Sequence, residues 1–204
     1  MDRAELSEGI IAELGALFVE TLRSNARALL ASDLDELEQR LQVLGRTVFG
    51  RVVEQTVAAI AEGQADERPV CRECSQPMRL VDSGRSRSLQ GLVGDYAIRR
   101  SYYICDHCHQ GCAPLDERLG LGVGALSPGL QRVAARLGID DSFGDAVDAL
   151  HETLRIELAT EAARRVTEGI GEVAEDEAQS LIARAMAGHE PFAKQEVEAT
   201  SSTL

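Results

Sequence analysis

The chain has 204 residues, room for one medium domain or two small ones. Its net charge of −13 excludes a protein coated in basic surface, and with only 3% aromatic residues any sheet core must be small. No run of about 18 apolar residues exists to span a membrane, and the acidic opening MDRAELSEGI lacks the apolar stretch of a secretory signal, so a cytoplasmic protein is expected.

In chain order, Leu6, Ile10, Leu14, Leu17, Phe18 and Leu22 recur at helical spacing and predict a helix over 4–30. Ser32 or Asp33 is placed to cap a second helix, with Glu36 three residues after Asp33. The positions Leu34, Leu37, Leu41, Leu44, Val48 and Val52 carry that helix to about Ala61 and suit a helical hairpin or short coiled coil, with dimerisation as a functional alternative to packing. Gly63, a polar run and Pro69 then mark a linker. From Val70 to Pro114 the pattern turns to β, with two strands around a turn near Val93–Asp95 where Gly91 and Gly94 lend flexibility. Ser127 with Pro128 predicts a helix ending at Gly138, Asp141 or Ser142 a second over 143–154, and Thr160 a third from Glu161 to about Met186. The last two have the spacing of a helix-turn-helix.

The expected fold class is mainly α with a small β zinc ribbon. Residues 1–67 form an N-terminal helical hairpin, 68–118 the zinc ribbon, 119–188 a helical, helix-turn-helix-like domain, and 189–204 a disordered tail. No internal repeat is evident.

Cys71 and Cys74 form one C-x-x-C pair, and Cys105 and Cys108 a second. In a cytoplasmic chain such pairs point to a metal rather than to disulfides. A C-x-x-C knuckle turns two thiolates toward one ion, and two knuckles complete the tetrahedron that zinc prefers. Iron in a rubredoxin-like site would use the same ligands. Four thiolates leave no position open for water, so the expected cofactor is structural Zn²⁺. His107, His109 and Cys112 lie close by and could each substitute for a ligand, although bystander roles are more common at such spacing.

Charge is uneven along the chain. Residues 68–118 carry 8 basic and 6 acidic side chains, whereas 1–67 and 119–204 have net charges of −7 and −8. Seven arginines fall between Arg68 and Arg100. They read equally as a solvated sheet face or as contacts to nucleic acid. No phosphate-binding glycine motif or G-x-S-x-G nucleophile motif occurs, and the clusters Asp140–Asp141 and Glu175–Asp176–Glu177 read as capping and solvated surface.

The run from CRECSQPMRLVDSGRSRSLQGLVGDYAIRRSYYIC through PLDERLGL to SPGLQRVAARLG, with the later TEAARRVTEGIGE, resembles the N-terminal region of bacterial insertion-sequence transposases of the Kra type. The resemblance spans roughly residues 68–175, and Cys112 stands where such proteins usually have a bulky aromatic. It implies DNA transposition by an RNase-H-like domain with three metal-binding carboxylates, and no stretch of these 204 residues resembles that domain. Hence no catalytic residues are carried over and whether the chain is an enzyme stays open. The expected role is recognition of element ends by a truncated or split transposase, with Arg85, Arg87, Arg99 and Arg100 on phosphates and Arg164 and Arg165 near the major groove. The alternatives are a subunit completed by a separate catalytic chain and a remnant that regulates intact transposase by dimerising. DNA is the expected partner, with a second copy or intact transposase as the protein partner and no membrane.

Overall fold

The computed structural model describes residues 3–62 and 68–187. Helix α1 (Arg3–Ala31) and helix α2 (Leu34–Glu62) form the N-terminal hairpin. Asp33 caps α2, its carboxylate accepting the Glu36 N–H at 2.9 Å. A three-stranded antiparallel sheet follows, β1 (Arg79–Gln90), β2 (Asp95–Ile104) and β3 (Gly111–Cys112), in the order β1-β2-β3. The short α3 (Pro114–Arg118) leads to three more helices: α4 (Pro128–Asp140), α5 (Phe143–Leu154) and α6 (Thr160–Met186). The expected tail at 189–204 and the linker residues 63–67 lie outside the described residues. No described helix is long and apolar enough to cross a membrane.

Among the described residues, three small cores hold the chain. The first joins α2 to the hairpin and α3, with Val57, Leu89, Ile98 and Leu115 buried together. The second lies among α4, α5, α6 and the segment between α5 and α6, around Leu130, Ala134, Leu150, Ile156 and Ala163. The third, Met78 and Tyr103 with the cysteines, is the smallest. The N-terminal hairpin is different: among the described side chains of α1 none is fully buried. Leu14, Leu17 and Leu22 are half-buried as their spacing predicts, but Phe18 is 51% exposed. In α2 deep burial begins only at Gly50 and Val57, where the helix meets the sheet.

Helix α2 is fastened to the turn between β1 and β2. Arg46 donates to the carbonyls of Leu92 (3.0 Å) and Gly91 (3.3 Å) and to Asp95 (3.2 Å). The Ala97 N–H, on the part of β2 that β3 does not reach, donates to Glu54 Oε1 at 2.7 Å. The helix therefore covers a strand edge that would otherwise be left unpaired. The approach is close enough that a Cβ on Gly50 would lie 2.5 Å from the Asp95 carbonyl oxygen. A bridge from Gln90 to Leu126, together with Gln90 Nε2 donating to the Glu157 carbonyl at 2.6 Å, ties the sheet to the helical cluster.

Two helix boundaries differ from expectation. Gly138 does not end α4, which continues to Asp140. A Cβ there would lie 2.6 Å from Thr167 Oγ1 and 3.1 Å from the Phe143 ring, so this glycine serves close packing of α4 rather than termination. Thr160 is the first residue of α6 rather than its cap, and Ala159 at the cap makes no side-chain bond. Ser127 and Ser142 cap α4 and α5 as expected.

Candidate metal centre

The two C-x-x-C pairs sit on turns of the same construction. In the first, the Cys71 N–H donates to the Gln76 carbonyl and the Ser75 N–H to the Cys71 carbonyl, both at 2.8 Å. In the second, Cys105 N–H donates to Gln110 (2.8 Å) and His109 N–H to Cys105 (2.9 Å). Cys-Arg-Glu-Cys-Ser-Gln and Cys-Asp-His-Cys-His-Gln are thus one six-residue knuckle used twice, a short repeat that the sequence hides because only the cysteines and the final glutamine coincide. The residue after each second cysteine, Ser75 (φ 56°) or His109 (φ 59°), lies in the left-handed region that favours glycine. Ser75→Gly and His109→Gly should each stabilise the fold by about 0.5–1 kcal/mol, measured as a rise in the urea midpoint; a fall in either variant would show that its side chain matters more than its backbone.

The four sulfurs converge, all within 4.8 Å of one another. Cys71 and Cys108 are 3.4 Å apart, Cys74 and Cys105 3.4 Å, and Cys74 and Cys108 3.7 Å. Four thiolates at about 2.3 Å from one ion would stand about 3.8 Å apart, so the donor set fits a tetrahedral metal ion. Cys71 and Cys105 are buried and the other two half-buried. Backbone amides prepare the site for charge. The Cys108 N–H, then that of His107, pull the Cys105 thiol down to about 6, and the Cys74 and Glu73 amides lower Cys71. At Cys74 the Gln76 amide acts the same way, but burial and the sulfurs of Cys105, Cys108 and Cys71 outweigh it and hold the thiol up at about 12.

Among the described residues these four cysteines are the one cluster arranged to hold a metal. His107 and His109 are exposed and lie outside it. Cys112 on β3 turns its sulfur to Met78 Sδ at 3.4 Å, and burial, followed by the nearby Glu117, raises its thiol. It packs beneath the knuckles and adds no fifth ligand.

The structure divides the six arginines expected at DNA. In the register of β1 and β2, Arg87 stands opposite Ile98 and Arg85 opposite Arg100. Arg87 and Arg100 therefore share the face of Leu89 and Ile98, which α2 and α3 cover. Both meet Asp116 of α3: Arg87 Nη1 at 2.8 Å and Arg100 Nε at 2.8 and 2.9 Å from its two oxygens, with all three side chains 12–16% exposed. Arg87 also donates to the carbonyls of Gly122 and Gly124, pinning the glycine-rich connector. These two arginines hold the fold together, a role sequence spacing did not suggest.

Arg85 and Arg99 are exposed and have no ion pair among the described residues, unlike Arg72 and Arg79, which pair with Glu117 and Asp106. Arg85 lies 4.4 Å from the centre of the Tyr102 ring. Arg99 stands opposite Ser86, on the other face of the hairpin. On α6, Arg164 is held by Glu161 and Glu168, each at 2.7 Å, and Arg165 lies 3.6 Å from Glu161. The Glu161 hydrogen bond raises Arg164 above its ordinary value, and the same bond lowers Glu161.

Searches of protein families, curated proteins and solved structures find no match to this chain.

Proposed function

We propose that this chain is a DNA-recognition module of an insertion-sequence transposase, built on a structural zinc ribbon. The observation that carries the reading is the hairpin anchored by the two knuckles, with Arg85 on one face, Arg99 on the other and neither neutralised by an acidic side chain among the described residues. A guanidinium over an aromatic ring can keep that stack while its N–H groups reach a phosphate. Four thiolates close the coordination sphere and leave no open position, which suits a structural ion rather than a catalytic one. Helices α5 and α6 supply the helix-turn-helix-like unit of this reading. Arg165 is its candidate contact, whereas Arg164 would have to exchange two carboxylates for a phosphate.

The purified protein should carry one zinc per chain by elemental analysis and bind labelled duplex DNA at low salt. Arg85→Ala and Arg99→Ala should each reduce the slope of log affinity against log salt by about one. A wild-type protein that binds neither random duplex nor the DNA flanking its own gene in a fluorescence titration contradicts the reading.

Regulation by dimerisation is a second reading, favoured by the apolar side chains that α1 and α2 leave in solvent. Ile11 is 67%, Phe49 57% and Phe18 51% exposed. Sedimentation at micromolar concentration should then show self-association or capture of an intact transposase, and a strictly monomeric chain indifferent to that enzyme counts against it.

A further inference from the structure

The N-terminal hairpin covers only one side of each of its helices. Helix α1 packs a stripe of Leu14, Leu17, Thr21 and Asn25 on α2, and all four are half-buried. A second stripe, Ile11, Gly15, Phe18 and Leu22, follows the helical repeat beside it, with Ile11 and Phe18 more than half exposed. Helix α2 repeats the plan. Leu37, Leu44 and Val48 are half-buried, while Leu34, Leu41 and Phe49 stand exposed alongside them with Gly45 between. On both helices the second stripe lies roughly 80° from the first, in the same rotational sense. In an antiparallel pair this puts both exposed stripes on one side of the hairpin. Gly50, Val53 and Val57, which meet the sheet, leave α2 on the side away from α1, so the sheet does not cover this face.

A helix draws most of its stability from packing an apolar face, and a 29-residue helix with no fully buried side chain among those described lacks a neighbour. Three features fit that neighbour to a second copy of this chain. The face is complementary to itself. Helix α1 ends at Ala31 and α2 begins at Leu34, so residues 20 and 45 stand at about the same height. A two-fold axis at that level sets Phe18 against Leu22 of a second copy, Leu41 against its Phe49, and Gly45 on its own counterpart. The glycines leave room for this approach: a Cβ on Gly15 would meet nothing within 4 Å, and one on Gly45 only the Phe49 ring, at 3.8 Å and beyond. Charge agrees with the same axis. Glu13 and Arg27 are exposed and have no ion pair among the described residues. They lie about 21 Å apart along one helix, too far to meet within a chain, but the axis brings Glu13 of each copy to Arg27 of the other. The area is also sufficient. Two 29-residue helices side by side offer a face of roughly 800 Å², about what each partner of a stable interface buries.

We propose that two copies of this chain pair through these faces as a four-helix bundle, α1 antiparallel to α1 and α2 antiparallel to α2. This rests on the dimerisation reading above, which it commits to a self-partner, and is independent of the DNA reading.

Sedimentation equilibrium of the full-length, zinc-loaded protein at micromolar concentration should give twice the chain mass of 22.0 kDa. Phe18→Glu and Phe49→Glu alter side chains that a single chain leaves exposed. Each should keep its circular dichroism and its metal while raising the dissociation constant about a hundredfold or more. Glu13→Arg and Arg27→Glu should each raise it severalfold, and the double variant should return it to the wild-type value, because the pair re-forms across the axis with its signs reversed. A monomeric wild type overturns the proposal; if that monomer captures intact transposase, the regulatory reading stands without it. A dimer that both glutamate variants leave intact overturns the proposal too, as does a double charge variant no tighter than the singles.

Discussion

Cys105→Ser should abolish metal binding and unfold one end of the ribbon while leaving the other in place. Cys105 is the most enclosed of the ligands, at 0% exposure, and the core around it consists of little besides Met78, Tyr103 and the other cysteines. So small an apolar cluster cannot offset the entropy of ordering two knuckles, and the bound ion has to supply the difference, roughly 10 kcal/mol for a structural zinc site. The far end of the same hairpin stands on other support, since Leu89 and Ile98 pack on Val57 and Leu115 and Arg46 holds the turn. Amide hydrogen exchange should therefore show protection lost across residues 69–80 and 102–113 and retained in α2, the β1–β2 turn and α4–α6. A strong chelator should give the same map as the mutation. Because each ligand sheds its proton on binding, metal affinity should rise with pH. Unchanged metal content in the variant, or protection lost evenly over the whole chain, would show that the cysteines do not form the centre described.

Asp116→Ala should cost about 3 kcal/mol, among the largest effects expected of a substitution outside the knuckles. Asp116 neutralises Arg87 and Arg100 at 12–16% exposure, and removing it leaves two charges enclosed without a counter-ion. The loss should extend to the connector that Arg87 holds through the Gly122 and Gly124 carbonyls. Urea denaturation measures the cost. The triple change Asp116→Leu, Arg87→Leu, Arg100→Leu should recover much of it, since an apolar replacement removes the unmet charges together with their partner. A single-variant cost below about 1 kcal/mol would instead match a solvent-screened surface pair and deny the triad this role.

That triad also marks where reading residues in order stops short. The arginines at 85, 87, 99 and 100 all lie on the hairpin, and alternation sets only Arg99 apart: it puts Arg85, which stays in solvent, on the same face as Arg87 and Arg100, which turn inward. Alternation places Arg87 with Leu89 and Arg100 with Ile98, but the buried face needs a counter-charge, and Asp116 comes from a five-residue helix too short to announce itself by periodicity. The two-residue strand β3 escapes for the same reason. Gly138 misleads in the opposite direction: a glycine near the end of an apolar period reads as a stop, whereas here it makes room for Thr167 and Phe143.

What is local in the chain can be read without its fold. The caps at Asp33, Ser127 and Ser142, the periods of the long helices, the strand–turn–strand hairpin and the four cysteines all rest on interactions within a few residues, or on a ligand spacing that admits few other meanings. What packing alone decides is which charges are spent and which remain. Asp116 closes over Arg87 and Arg100 from 29 and 16 residues away. Arg46 reaches Leu92 from 46 residues away, and Arg155 is enclosed beside α2 with its Nε unmet. A guanidinium is the same group in every sequence, and only the partners that folding brings to it determine whether it stabilises the protein or remains available to a ligand.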